Sequence, residues 1–231
     1  MKRMVLAIAV LSLASMGWAD DTKQSDTDRL DKAAEVLKQV MAAPDKGIPQ
    51  EVMEHAKCVA VVPHLVKGGF VFGAEGGKGV ATCRTAHGWS APAFFAITGG
   101  SWGLQIGVEG VDLVMVFQDD KGMDRLLNSK FKIGADASAA AGPVGRNASA
   151  GTDWKLNDEI LTYSRAKGVF AGITLNGADV RPDDDSMRAE YGGNVTFRSV
   201  LTGAVPAPTG SHEFLAAVRG AKAESAEAKK P

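Results

Sequence analysis

The chain has 231 residues, and its 26 Lys and Arg against 27 Asp and Glu leave a formal net charge of −1. This balance argues against nucleic acid as the main partner, because neutralising phosphates requires a surplus of Lys and Arg. The length suits one domain with a substantial core.

The first residues have the layout of a secretory signal. Lys2 and Arg3 precede an uncharged stretch over 4–16 that is too short for a stable membrane anchor, and Gly17-Trp18-Ala19 offers small residues to signal peptidase. We expect cleavage after Ala19 and export of the protein to the periplasm or beyond the cell. Removal of these 19 residues, with Lys2 and Arg3 among them, takes 231 residues to 212 and the charge from −1 to −3. The alternative is an N-terminal helix of the domain.

Two helices are predicted before the first strand. After a flexible N-terminus over 20–27, apolar residues at helical spacing predict a helix over 28–43, which Pro44 ends. The charges on its polar face are balanced in sign, which favours packing on the core over insertion into a membrane. A second, short helix is expected from Pro49 to about Lys57.

Short runs of β-branched and aromatic residues, bounded by Gly, predict strands through the middle of the chain. The predicted strands are 58–62, 69–75, 79–84, 93–98, 104–108, 111–117, 135–145, 160–166 and 169–175. The predicted turns are Gly99-Gly100, Glu109-Gly110 and Lys167-Gly168, the predicted helices are 123–129 and 211–219, and 181–190 is a polar segment.

These elements predict an α+β domain over 28–219. Its sheet is expected to be mainly antiparallel and strongly bent, or a barrel-like sandwich, with flanking helices at the N- and C-terminal ends. Residues 220–231 contain no large apolar side chain and are expected to be disordered.

The two cysteines, Cys58 and Cys83, leave two alternatives open. An oxidising compartment permits a disulfide between them. A simple meander of the strands 58–62, 69–75 and 79–84 would instead place them at opposite ends of the sheet, beyond the spacing that a disulfide tolerates.

One segment matches a catalytic motif. Gly99-Gly-Ser-Trp-Gly103 has the G-x-S-x-G pattern of a hydrolase nucleophile elbow, with Ser101 as nucleophile and His212 as its downstream base. The elbow requires a helix directly after the serine, whereas residues 104–117 alternate like strands. We therefore expect no catalysis, and a serine hydrolase is kept as an alternative.

Three other segments suggest ligand sites without matching the sequence patterns of such sites. The Gly-rich segment 73–79 departs from the Walker spacing, although a turn presenting Lys78 to a lipid phosphate is an alternative to a plain hairpin loop. The His, Cys and Glu residues over 51–58 would be scattered by the change from helix to strand, so neither a metal nor a cofactor is expected. The acidic run 183–185 lacks calcium-loop spacing and is expected to be a solvated turn.

Basic residues recur at the ends of the predicted strands. They are Lys67, Lys78, Arg84, Lys130, Lys132, Arg146, Arg165 and Lys167. Several of them, if brought together, would form a patch for anionic head groups, with aromatic residues lining an apolar pocket nearby. The predicted lipid-binding residues are Lys67, Phe70, Phe72, Lys78, Arg84, Trp102, Arg165 and Lys167.

An ordered series of segments resembles the SYLF domain family. The segments are Val59-Ala-Val-Val-Pro63, Gly68-Gly-Phe-Val-Phe-Gly73, Gly88-Trp-Ser-Ala-Pro92, Ser101-Trp-Gly-Leu-Gln-Ile-Gly107, Asp112-Leu-Val-Met-Val-Phe117, Ala141-Gly-Pro-Val-Gly145, Tyr163-Ser164, Gly168-Val-Phe-Ala-Gly-Ile-Thr-Leu-Asn-Gly177 and Tyr191-Gly192. Together they span most of the mature chain.

The resemblance implies a binding domain without a catalytic centre. Members of the family bind lipids and are also described as actin-binding in fungi and animals. An exported protein meets neither cytosolic actin nor phosphoinositides, so the implied function is binding to an anionic lipid or membrane surface. The alternative is a protein-interaction or structural module of the cell envelope, with an envelope protein as its partner.

Overall fold

The computed structural model describes residues 22–227 except 24, 44–46, 70–71, 103–106, 129, 145–158, 167–168, 173–174 and 176. The predicted signal segment 1–19 lies outside this part of the chain. Within the described part, six α-helices and ten strands form an α+β domain, which confirms the predicted fold class.

The elements have the following bounds in chain order. The helices are α1 over 25–41, α2 Gln50–His55, α3 Asp120–Leu127, α4 Asp184–Tyr191, α5 Phe197–Leu201 and α6 His212–Glu227. The strands are β1 Cys58–Gly69, β2 Phe72–Thr85, β3 Gly88–Trp89, β4 Ala93–Trp102, β5 Gly107–Phe117, β6 Phe131–Lys132, β7 Ala139–Ala141, β8 Ile160–Ala166, β9 Val169–Gly172 and β10 Asp179–Pro182.

The strands form one mixed sheet in the order β6-β10-β4-β2-β1-β5-β8-β7, with β3 paired to β2 and β9 paired to β8. The described pairings are antiparallel except that of β7 with β8. The sheet is strongly curled into a half-barrel with helices beside it, as the sequence predicted.

The long strand β2 replaces two of the predicted strands. Separate strands over 69–75 and 79–84 are wrong, because Phe72–Thr85 is continuous and pairs with both β1 and β4. A Cβ atom at Gly79 would lie 2.6 Å from the backbone oxygen of Val61 and 2.6 Å from Cζ of Phe95. Glycine therefore allows a close approach of neighbouring groups here rather than a turn. The Gly-rich segment 73–79, expected to be a plain hairpin loop or alternatively a turn presenting Lys78, is part of this strand.

Strands β4 and β5 also pass through predicted turns. Gly99-Gly100 lies inside β4, and Glu109-Gly110 lies inside β5. A Cβ atom at Gly110 would collide with the His64 ring, which is why glycine occupies this strand position. His64 itself has a φ of 61° at the register shift between Val62 and Leu65 of β1. A bulge of this kind bends a sheet, in keeping with the curl observed.

The polar segment predicted over 181–190 contains the end of β10 and most of helix α4. Asp183 lies between these elements, and its side chain is only 7 % exposed. The solvated turn predicted for 183–185 is therefore wrong at its first residue. Arg29 and Lys78 pair with the Asp183 carboxylate, and burial of a charge requires such partners.

The structure also changes several element ends. Helix α1 already includes Asp26, a fully buried residue within the segment 20–27 that was expected to be flexible. Helix α6 continues to Glu227, past the predicted helix end at 219. Of the strand predicted over 135–145, only Ala139–Ala141 forms within the described residues 135–144, and a turn occupies 134–136.

The core lies at one end of the four central strands. Residues 58–62 of β1 are all fully buried, so both faces of that strand are covered there. Leu37 of α1, Val52 of α2 and Phe214 of α6 are also fully buried and belong to the same cluster. At the other end of these strands, fewer of the side chains that the structure describes are buried.

Candidate binding surface

The central strands extend past the core as a four-stranded segment that we call the distal sheet. It consists of 66–69 of β1, 72–76 of β2, 98–102 of β4 and 107–110 of β5. The register is continuous throughout these residues, because the recorded shift in β1 occurs before Val66. Positions that alternate along each strand therefore share a face of the sheet.

The two faces of the distal sheet differ in charge. Among the residues whose side chains the structure describes, the outer-face positions are Val66, Gly68, Ala74, Gly76, Thr98, Gly100 and Gly110. The inner-face positions are Lys67, Glu75 and Gly99. The charged residues of this described set, Lys67 and Glu75, thus occupy inner-face positions, and its outer-face positions carry no charge.

Burial on the two faces is the reverse of the usual arrangement. Val66 on the outer face is 40 % exposed and, with Val144, is one of two exposed large apolar side chains in the described part of the chain. The side chain of Glu75 on the inner face is only 8 % exposed, with its carboxylate 3.2 Å from Lys67 Nζ. The described outer face thus exposes an apolar side chain, whereas the inner face buries an ion pair.

Ion pairs border the outer face where the distal sheet joins the core. The Lys78 Nζ atom lies 2.8 Å from the Asp183 carboxylate, and Arg165 Nη2 lies 2.8 Å from that of Asp112. The backbone N–H of His64 donates a hydrogen bond to Asp112 Oδ1 at 3.1 Å. Each of the two basic side chains thus has an acidic partner, and the border carries little net charge.

A buried polar cluster joins α1, α4 and β2 behind this border. Arg29 lies 3.0 Å from the Asp26 carboxylate and 3.2 Å from that of Asp183. The Ser186 hydroxyl oxygen lies 2.8 Å from an oxygen of each carboxylate. Burial raises the pKa of Asp26. Burial acts in the same direction on Asp183, but hydrogen bonds from Lys78 and Ser186 and the nearby positive charges outweigh it and lower the pKa of Asp183.

The predicted basic residues do not form one patch of unpaired charges. Lys67 lies on the inner face, whereas Lys78 and Arg165 lie at the border of the outer face. All three are paired with carboxylates. Lys167 lies outside the described residues.

Arg84 is far from the other predicted binding residues, at the end of β2 opposite the distal sheet. Its guanidinium donates hydrogen bonds to the backbone oxygens of Ala56 at 2.6 Å and Met53 at 3.1 Å, just after and within α2. It also stacks over the Trp89 ring, 4.5 Å from the ring centroid. These contacts give Arg84 a structural role that the sequence did not indicate.

The predicted aromatic residues are placed by strand register. Phe72 and Trp102 are paired partners at the far end of the distal sheet, in the row most distant from the core. Phe70 lies outside the described residues. The sequence had grouped these residues by type, and the strand register makes the backbones of two of them neighbours.

The residues of the hydrolase alternative lack the required backbone context. Ser101 is inside strand β4, and the next described element is strand β5 rather than a helix. His212 begins helix α6 with a side chain that is 81 % exposed. A nucleophile elbow needs a sharp turn from strand to helix at the serine, and residue 101 is not at such a turn.

The cysteines are bonded to each other. Cys58 and Cys83 are direct register partners on β1 and β2, and a disulfide joins them. The meander that would have separated them is wrong, because β1 and β2 form one long hairpin. Among the described residues, no three His, Cys, Asp or Glu side chains are grouped to hold a metal ion.

A cavity of about 350 Å³ lies beyond the core, between the β2–β3 turn and the segment after α5. Its lining includes Trp89, Ser90, Thr202 and Val205. These residues belong to two segments far apart in the chain, so local sequence patterns gave no indication of the cavity.

No helix in the described part of the chain has both the length and the apolar character needed to cross a membrane.

The family profile described as "Ysc84: Las17-binding protein actin regulator" matches residues 98–221, more than half of the chain. The chain belongs to the Ysc84 family, whose domain is the SYLF domain. Membership in this family confirms the resemblance that the ordered segments indicated.

Three curated relatives illustrate the extent of the similarity. SH3 domain-containing YSC84-like protein 1 of Rattus norvegicus is 32 % identical over 190 residues, covering 79 % of this chain and 56 % of the relative. Protein YSC84 of Saccharomyces cerevisiae is 31 % identical over 210 residues, covering 87 % and 44 %. LAS seventeen-binding protein 3 of the same species is 30 % identical over 203 residues, covering 84 % and 44 %. The chain spans about half the length of these Ysc84-family relatives.

Proposed function

We propose that this Ysc84-family protein is exported and binds a lipid or membrane surface without catalysing a reaction. The observation that carries the proposal is the outer face of the distal sheet, whose described side chains Val66, Ala74 and Thr98 are exposed and uncharged, and which ion pairs border. A surface of this kind loses little hydration energy against a lipid interface, because no unpaired charge has to leave water.

Two features support export. The sequence begins with a basic pair, an uncharged stretch and small residues at a cleavage position. The Cys58–Cys83 disulfide fits an oxidising compartment such as the periplasm or the exterior of the cell, since thiols are kept reduced in the cytosol. N-terminal sequencing of the protein recovered from a periplasmic fraction is expected to begin at Asp20. Recovery of the intact leader in the cytosol would contradict export.

A non-catalytic role agrees with the names of the family and its relatives. These names describe an actin regulator, a Las17-binding protein and a LAS seventeen-binding protein, all of which denote binding or regulation. For this chain, the same names support a second candidate, a protein-interaction module of the cell envelope.

Vesicle flotation tests the lipid proposal directly. Protein purified after export should float with phospholipid vesicles, and the bound fraction should increase with lipid concentration. A soluble globular enzyme of similar net charge serves as a non-binding reference. If the protein stays at the bottom of the gradient with both neutral and anionic vesicles, lipid binding is excluded. Capture of one stoichiometric envelope protein in that case would establish the second candidate.

A further inference from the structure

The buried polar cluster that joins α1, α4 and β2 contains two carboxyl groups bridged by one hydroxyl group. The Ser186 Oγ atom lies 2.8 Å from Asp26 Oδ1 and 2.8 Å from Asp183 Oδ2. A hydroxyl group has a single proton, which it can donate to only one of these oxygens. If both carboxyl groups were ionised, the other contact would bring two oxygen atoms together without a proton between them.

The remaining contacts show which carboxyl group receives the hydroxyl proton. Asp183 Oδ2 also lies 2.8 Å from Lys78 Nζ and 3.2 Å from Arg29 Nη1, and this set of donors suits an ionised carboxylate. Asp26 is completely buried, and its Oδ2 atom has no hydrogen-bond partner in the described part of the chain. A buried carboxylate with an unsatisfied oxygen is costly, whereas a protonated carboxyl group carries no charge.

A proton on Asp26 supplies the missing hydrogen bond of the cluster. The Asp26 carboxyl group then donates to Ser186 Oγ, and Ser186 donates its own proton to Asp183. We infer that this proton holds the first turn of α1 against α4, and that its loss as the pH rises loosens that turn while the rest of α1 stays packed. This pH-dependent contact is independent of the proposed lipid-binding function.

The groups around Asp26 act on its proton in opposite directions. The charged or titratable side chains near it are Arg29 of α1, Lys78 of β2, and Asp183 and Glu190 beside and within α4. Burial is the largest influence and raises the pKa of Asp26, and the negative charge of Asp183 acts in the same direction. The two positive charges and any hydrogen bond donated by Ser186 act against burial without reversing it. Asp26 therefore keeps its proton above the ordinary range of an aspartate.

The loosening is confined to the first turn because the next turn of α1 has contacts that do not depend on this proton. The Arg29 guanidinium lies over the Phe94 ring of β4, 5.5 Å from the ring centroid. Leu30 and Leu37 are buried in the core cluster. Asp26 is held instead by the polar contacts with Arg29 and Ser186. Loss of the proton thus affects the residues that precede Arg29.

NMR titration of the aspartate carboxyl carbons in the purified protein measures the proton directly. Asp26→Asn identifies the Asp26 signal, and Asp31→Asn is the matched control because residue 31 is exposed on the same helix. The signal lost in Asp26→Asn should titrate at a higher pH than the signal lost in Asp31→Asn. Titration of Asp26 at or below the ordinary aspartate value of about 3.9 would overturn the inference.

Native-state hydrogen exchange measures the consequence for α1. The backbone amides of 29–32 donate to the carbonyls of 25–28 in a regular helix, so they report opening of the first turn. The amides of 36–39 in the same helix are the internal reference. As the pH rises, protection of 29–32 relative to the reference should fall about tenfold for every pH unit by which the folded pKa of Asp26 exceeds its ordinary value, because the opened turn restores that ordinary value.

Asp26→Asn keeps the contact at every pH, because its amide group can donate to Ser186 Oγ. Protection of 29–32 in this variant should not depend on pH once the intrinsic exchange rate is corrected for. Asp31→Asn should keep the dependence of the native protein. If the amides of 29–32 and 36–39 in the native protein lose protection together, or if neither set responds to pH, the inference is wrong. That comparison uses the native protein alone, so it holds even if Asp26→Asn does not fold.

Discussion

Cys58 and Cys83 lie directly opposite each other on β1 and β2, and their disulfide closes the core end of the hairpin whose other end forms the distal sheet. The hairpin therefore has one end held covalently within the core and the other projecting from it. The disulfide joins the two central strands of the sheet order, β1 and β2.

Reduction of the disulfide is expected to lower the free energy of unfolding by about 2–4 kcal/mol, since it closes a loop with a sequence separation of 25. Urea unfolding with and without dithiothreitol measures the difference. The Cys58→Ala/Cys83→Ala variant is the control and should show no response to the reductant. Equal stability of the native protein in both conditions would contradict the prediction.

Gly79→Ala is expected to destabilise the protein by about 1–3 kcal/mol, because the new Cβ would lie 2.6 Å from Val61 O and force the backbone to move. Gly76→Ala in the same strand is the matched control, since its nearest neighbour would be 3.8 Å away. Its stability should differ from the native value by less than about 0.5 kcal/mol. Thermal unfolding of the two variants compares them, and equal losses would argue against steric crowding at Gly79.

Arg29→Met is expected to cost about 3–5 kcal/mol of unfolding free energy, because it leaves the carboxylates of Asp26 and Asp183 buried without their shared cation. The comparison is Lys38→Met, which breaks an exposed pair with Glu213 and should cost about 1 kcal/mol or less. Denaturant titration gives both values. A loss no larger for Arg29→Met than for Lys38→Met would show that the cluster contributes little to stability.

The two buried carboxylates are expected to affect acid stability in opposite directions. The pKa of Asp26 is raised by burial, so its stabilising contribution is complete below its unfolded pKa and is lost as pH rises through the folded value. The pKa of Asp183 is lowered in the fold, so its contribution is present above the unfolded pKa and is lost as pH falls through the folded value.

The native protein loses the contribution of Asp26 as the pH rises above about 3.9, and Asp26→Asn should abolish that loss. The native protein loses the contribution of Asp183 as the pH falls below about 3.9, and Asp183→Asn should abolish that loss. Urea unfolding at a series of pH values from neutral to strongly acidic follows both effects. Changes of the same sign in the pH dependence of the two variants would contradict the assigned shifts.

Arg84→Lys is expected to reduce stability by about 1–3 kcal/mol, because a single ammonium cannot reproduce the hydrogen bonds to Ala56 and Met53 or the stacking on Trp89. Vesicle binding per folded molecule should stay unchanged. The exposed Arg198 on α5 is the control for loss of a guanidinium, and Arg198→Lys should affect neither property. A selective loss of vesicle binding in Arg84→Lys would return Arg84 to the binding surface.

Several elements of the fold followed from local patterns. The predicted helix over 28–43 corresponds to α1 over 25–41, because its apolar residues repeat at helical spacing and face the core. Strand β8 has its predicted bounds, β9 Val169–Gly172 begins at the first residue of the strand predicted over 169–175, and the two strands pair as expected. These features depend on residues close together in sequence, so periodicity is sufficient to predict them.

The predicted turns at Gly99-Gly100 and Glu109-Gly110 show where local reasoning stops. Glycine favours turns in isolation. At Gly79 and Gly110, however, the missing side chain leaves room for Phe95 and for His64, respectively, from a neighbouring strand. Asp183 similarly looks solvated within its acidic run and is buried because Arg29 and Lys78 reach it from α1 and β2. None of these partners is near in sequence.

The sequence by itself determined the α+β class, the order of most helices and strands and membership in the SYLF-type family, since these depend on local periodicity and on ordered motifs. Only the tertiary structure decided that the cysteines meet, that Lys67, Lys78 and Arg165 are paired with carboxylates, and that the described side chains on one face of the distal sheet are exposed and uncharged. The reason is physical: strand register determines which residues become neighbours across the sheet, and those neighbours determine whether a charge is paired or a side chain is buried.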